Sequence, residues 1–95
     1  MILYRSIRGL LMIFNYQDYR QYLKSVLQNR QLKNKRYSLR AFAKSLDISP
    51  GALSKVLNSI NNLSEQKALQ FAQQLKFNES ETDYFLRLVT MNKLN

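Results

Sequence analysis

The chain has no cysteine, no histidine and no tryptophan, and only two glycines and one proline. The first two absences exclude disulfides, thiolate zinc sites, imidazole metal ligands and every catalytic constellation that pairs a nucleophile with His. The scarcity of Gly and Pro argues against a turn-rich β architecture and leaves long stretches free to be helical. Acidic residues are also few, at six. Glu79, Glu81 and Asp83 crowd into one stretch, where acids at a helix start complement its macrodipole better than they would serve a hydrolase. No enzyme, no metal and no cofactor are expected. No apolar run is long enough to span a bilayer.

What is present is cationic and apolar in regular spacing. Fifteen Lys and Arg give a net charge of +9 over 95 residues, 45% of which are apolar. That is enough for one domain with a modest core. The excess is uneven: eleven cations face only Asp18 and Asp47 up to Ile60, whereas four cations balance four acids beyond it. A field of one sign attracts polyanions, with nucleic acid or an anionic membrane surface as the usual partners. Phosphate attraction alone does not separate DNA from RNA. A solubilising surface is the plainer explanation of the same charge.

The start, MILYRSIRGLLMIF, carries Arg5 and Arg8 before a short apolar run. It lacks the long apolar region and small-residue cleavage site of a secretory signal. Residues 1–12 read as an extension that could be an extra helix, an interfacial segment or translated sequence ahead of a start at Met12. Residues 13–95 read as a single helical domain, membrane association is not expected from the sequence, and a cytoplasmic location is expected.

A period of 3.6 residues organises the rest. Asn15 is the expected N-cap of a first helix with Tyr19, Tyr22, Leu23, Val26 and Leu27 on one stripe, fading near Leu32. Lys33 to Tyr37 reads as a linker. Ser38 caps a second helix, with Leu39, Phe42, Ala43 and Leu46 inward. Ser49 caps a third, with Pro50 at its first position and Leu53, Val56, Leu57 and Ile60 inward. Leu63 and Ser64 open a fourth, burying Ala68, Phe71, Ala72 and Leu75. Asn78 caps a fifth, with Glu81 completing a capping box. The fold class is all-α, a compact bundle of about five short helices. Tyr19, Tyr22, Phe42, Phe71 and Phe85 lie on the stripes and read as core rather than as stacking platforms.

The second and third helices, joined by Asp47, Ile48 and Ser49, meet the demands of a helix-turn-helix. Ala43 is small where the helices would cross, Ile48 plugs the turn, and Leu53 and Val56 anchor the third helix. Asp47 stands where the turn takes a left-handed residue, and tolerates φ > 0 better than most. The outward residues of the third helix are then Ser49, Gly51, Ala52, Ser54, Lys55, Asn58 and Ser59. With that helix, about 50–59, in the major groove of double-stranded DNA, the candidate base contacts are Ser49, Gly51, Ser54, Lys55 and Asn58. Asn58 has an equally plain role as a C-terminal cap. Arg36, Arg40 and Lys44 are the candidate phosphate contacts.

Ala43 to Asn58, AKSLDISPGALSKVLN, resembles the helix-turn-helix of lambda-repressor-like (Cro/XRE-type) regulators. A longer set of segments resembles the Fibrobacter paralogous family of bacteria: YQDYRQYLK from Tyr16, YSLRAFAK from Tyr37, SPGALSKVLN from Ser49, NLSE from Asn62 and ETDYFLRLVTMN from Glu81. The resemblance implies a lambda-repressor-like bundle and a DNA-binding module of a bacterial transcriptional regulator. In that family the segment precedes a larger helical domain, so a fragment or a stand-alone relative is implied. Family members tend to carry Gly at the positions of Asp47 and Ser59, and cations where Ile60 and Asn61 stand, which implies a weaker hold on phosphate here.

The fifth helix carries Tyr84, Phe85, Leu86, Leu88 and Val89, a face wider than one stripe requires. It is either central to the core or a contact for a homodimer or a larger C-terminal domain. The competing function is therefore a protein–protein interaction module of helix-turn-helix shape that does not read DNA.

Overall fold

The computed structural model describes residues 12–93, so the expected extension 1–12, apart from Met12, lies outside the described residues. Five α-helices make up the described part: α1 (Tyr19–Lys33), α2 (Leu39–Ser45), α3 (Pro50–Leu57), α4 (Glu65–Gln74) and α5 (Glu79–Met91). A 3-10 turn, Ile13–Asn15, precedes them, and no strand occurs among the described residues. The architecture is an all-α bundle around one apolar cluster to which every helix contributes.

The helix starts follow the expected chemistry at four of five positions. The hydroxyls of Ser38, Ser49 and Ser64 accept from the backbone N–H of Ala41, Ala52 and Lys67, each at 3.1 Å. Asn78 and Glu81 form both halves of a capping box at 2.8 Å. Each such cap is worth about 1 kcal/mol. The first helix differs from expectation, because its cap is Asp18, whose carboxylate accepts from the Arg20 N–H at 2.8 Å, and not Asn15. Asn15 instead closes the 3-10 turn that drives Ile13 into the core with no exposed surface. Burying such a side chain is worth roughly 1.5–3 kcal/mol, more than a second cap would supply.

Three helices end alike. After α2, Asp47 takes φ 59°; after α3, Ser59 takes φ 60°; after α4, Lys76 takes φ 60°. At each end the next residue donates back to the carbonyl five positions earlier: Ile48 to Ala43 at 3.0 Å, Ile60 to Lys55 at 2.8 Å, Phe77 to Ala72 at 3.0 Å. These are Schellman closures made without glycine. Asp47 meets its expected left-handed conformation. Ile60 departs from the expected stripe: α3 stops at Leu57, the chain reverses at Ser59, and Ile60 is left 64% exposed. The third helix is accordingly Pro50–Leu57 with Asn58 as its C-cap, shorter than the expected 50–59.

Aromatic rings knit α1 to α5. Tyr19 packs edge-on to Phe85, Tyr22 lies 5.7 Å from Phe77 and 5.3 Å from Tyr16, and Phe77 meets Phe85 at 5.6 Å. Phe85, Leu88 and Val89 are buried within the chain, so the wide face of α5 is largely spent on the core. Tyr84 donates its hydroxyl to the Tyr16 carbonyl at 2.6 Å. None of the helices of the described part is long and apolar enough to cross a membrane.

Candidate nucleic-acid interface

Helices α2 and α3 pack on each other through the turn Leu46–Ser49. Ala43 is fully buried in that joint, and its carbonyl accepts from the Ile48 N–H. The turn is fastened from outside by Gln70 of α4, whose amide donates to the carbonyls of Leu46 at 2.9 Å and Asp47 at 2.8 Å. Leu53, Val56 and Leu57 hold α3 against the core. Its opposite side presents Gly51, Lys55 and Asn58, all exposed, with Ser49 exposed at the start. Nothing lies within 4 Å of the place where a Gly51 side chain would begin.

Two of the outward residues expected from sequence sit on the flanks instead. Ala52 and Ser54 are half-buried on opposite sides of the exposed face. Ser54 accepts from the Asn58 side-chain amide at 3.2 Å, a bond on the surface that orients Asn58. Asn58 is also the C-cap of α3, so both of its expected roles coincide at one exposed position.

The expected phosphate contacts divide. Arg40 and Lys44 line an open groove of about 680 Å³ between α2, the motif turn, α3 and the loop into α4. Lys67 of α4, which sequence reasoning passed over, lines it from the other side. Asp47 is the one carboxylate among the groove's described lining residues, and Ile48, Ala52 and Val56 supply part of its apolar lining. Arg36 and Lys55 are exposed but do not line it. Arg36 stands in the linker turn, where its N–H donates to the Asn34 side chain at 3.0 Å. Arg40, Lys44 and Ser49 thus share the groove, which neither Arg36 nor the Lys55–Asn58 face lines.

Two other arginines belong to the fold. Arg20 is 4% exposed. Its guanidinium donates to the carbonyls of Val56 at 2.8 Å, Asn92 at 3.2 Å and Asn61 at 3.0 Å, and to the Asn62 side-chain oxygen at 3.3 Å. All four acceptors are neutral. Two are carbonyls at the C-terminal ends of α3 and α5, where a cation also complements the helix dipole. Its plane lies 4.6 Å over the Tyr19 ring. Arg30 donates to the Tyr37 hydroxyl at 2.7 Å and the Ser45 hydroxyl at 3.2 Å, and stacks near Phe42. A faint sequence signal for Arg20 existed, since it stands three and seven residues before Leu23 and Leu27.

Among the described residues no group of His, Cys, Asp or Glu could hold a metal ion. Burial pushes the Tyr22 hydroxyl up to about 12, helped by the negative field of Glu81. Burial likewise raises Tyr19, whose oxygen accepts from the Leu63 N–H at 3.2 Å. Neither tyrosine lines the groove. Comparison of the chain with protein-family models, with curated proteins and with solved structures finds no match.

Proposed function

We propose that this chain binds duplex DNA through α2 and α3 and serves as the DNA-binding module of a bacterial transcriptional regulator working in the cytoplasm. The observation that carries the proposal is the two-sidedness of α3. One side is pinned by Leu53, Val56 and Leu57, and the other presents Gly51, Lys55 and Asn58 to solvent with uncompensated cations on the neighbouring helix. A short helix held rigidly with a polar outer face suits the major groove. In this reading Asn58 meets a base edge and Lys55 a guanine or a phosphate, with Ser49, Gly51 and Ser54 at the periphery. Arg36, Arg40 and Lys44 meet phosphates.

Selection from random duplexes tests the reading, followed by titration of the enriched sequence against salt. Four phosphate contacts, counting Lys55 as one, imply a log–log slope of roughly −3.6 at about −0.9 each. Asn58→Ala is expected to relax preference at one position, a loss of roughly 1–3 kcal/mol, with non-specific affinity nearly intact. Lys55→Ala weakens all sequences more evenly if its partner is a phosphate. No enrichment, together with no binding at low salt, rejects the proposal.

A further inference from the structure

The cations among the described residues include two kinds. Arg20 and Arg30 are tied into the fold by hydrogen bonds. No side-chain hydrogen bond holds Arg40, Lys44 or Lys67 to another described residue, yet the fold gathers them around one groove. Lys67 comes from the charge-neutral part of the chain and reaches the site on α4, which packs into the core through Ala68, Phe71 and Ala72 and is fastened to the motif turn by Gln70. Three like charges around one depression repel one another, and with Asp47 as the only lining carboxylate the repulsion is not cancelled within the groove. An anion relieves it.

The shape narrows the anion. The groove is open, and its lining combines the cations Arg40, Lys44 and Lys67 with the apolar side chains of Ile48, Ala52 and Val56. A phosphodiester strand combines charged phosphates with apolar sugar carbons and suits such a mixed lining. The groove runs along the Ala52–Val56 flank of α3, beside the face carrying Gly51, Lys55 and Asn58. We infer that this groove seats one strand of the duplex backbone, with Lys67 as its third cation beside Arg40 and Lys44. The inference rests on the duplex reading above and adds to it a contact from α4.

Lys67→Gln tests it, with Lys76→Gln as the control, since Lys76 does not line the groove. Both side chains are exposed and both substitutions keep the helix caps, which circular dichroism verifies. With a random-sequence duplex, Lys67→Gln flattens the salt slope by about 0.9 and Lys76→Gln leaves it unchanged. The sequence preference obtained by selection stays the same in both. Asp47→Asn, which keeps a residue at ease with φ > 0, tightens binding by removing the lone carboxylate. If Lys67→Gln matches the wild-type slope while Arg40→Gln flattens it, the backbone does not reach α4, and the inference falls while the duplex reading stands. If the wild-type chain binds no duplex at low salt, both fall. If labelled polyglutamate binds in a Lys67-dependent way while duplex binding ignores Lys67, the groove takes an acidic polypeptide and the inference is overturned.

Discussion

Arg20 shows how one residue can join parts of the chain that sequence proximity keeps apart. Its guanidinium collects the Val56 carbonyl near the end of α3, the Asn61 carbonyl and Asn62 side chain of the following loop, and the Asn92 carbonyl after α5. The planar fork has enough donors for all four, which an ammonium on a flexible stem cannot match. Replacing it by Met fills the space but strands buried carbonyls, each of which then carries its desolvation cost. Arg20→Met is expected to destabilise the fold by roughly 2–4 kcal/mol, with Arg20→Lys recovering only part. Urea unfolding measures both, and a loss below about 1 kcal/mol for Arg20→Met would show that water replaces the clamp. The same residue explains why net charge overstates the polyanion surface. A cation that completes two helix ends is unavailable to a phosphate.

At the level of elements, most starts were legible and the ends only in part. Ser38, Ser49, Ser64 and Asn78 announce themselves because a side-chain oxygen bonds a backbone N–H two or three residues on, which is wholly local chemistry. Asn15 misled because Asp18, three residues later, offers the same chemistry, and the choice between them depends on where Ile13 packs. Ser59 and Lys76 close their helices with φ near 60°, and neither residue type signals that conformation. Only Asp47 did. Ile60 was placed inward although Asn58 already read as a C-terminal cap, and a stripe extrapolated past that stop points the wrong way. Arg40 and Lys44 were readable as one polar face, whereas Lys67 joins them only through the packing of α4, which no local spacing encodes. The α2–α3 joint allows a sharp test, because Ala43 is fully buried there with its carbonyl engaged by the turn. Ala43→Leu adds methylenes to a closed joint and should cost on the order of 1–3 kcal/mol. Thermal unfolding reads this directly, and an unchanged midpoint would mean the joint is looser than the burial indicates.

For the molecule as a whole, the lack of histidine and the burial of two tyrosines set the pH response. No side chain with an ordinary value titrates between about pH 6 and 8, so the charge presented to a polyanion is nearly constant there. Duplex affinity at fixed salt should therefore be flat across that interval. Stability behaves differently at high pH. The neutral hydroxyl of Tyr22 is the buried form, and its folded value of about 12 lies above the ordinary value of 10.0. Below pH 10 the hydroxyl is protonated in both states and its contribution is fully present. As pH rises from about 10 to 12 the unfolded chain loses the proton first, so unfolding is favoured and the contribution is lost. Two pH units at about 1.4 kcal/mol each bound the loss near ~3 kcal/mol. Tyr19, raised in the same direction by burial, adds to the same trend. The measurement belongs in high salt, where interactions among surface charges are screened. Urea midpoints should hold steady up to about pH 9.5 and then fall through pH 12, with tyrosinate absorbance rising as the chain unfolds. A midpoint that stays level to pH 12 would contradict the burial of Tyr22 between Tyr16 and Phe77, and with it the aromatic seam that joins α1 to the end of α4.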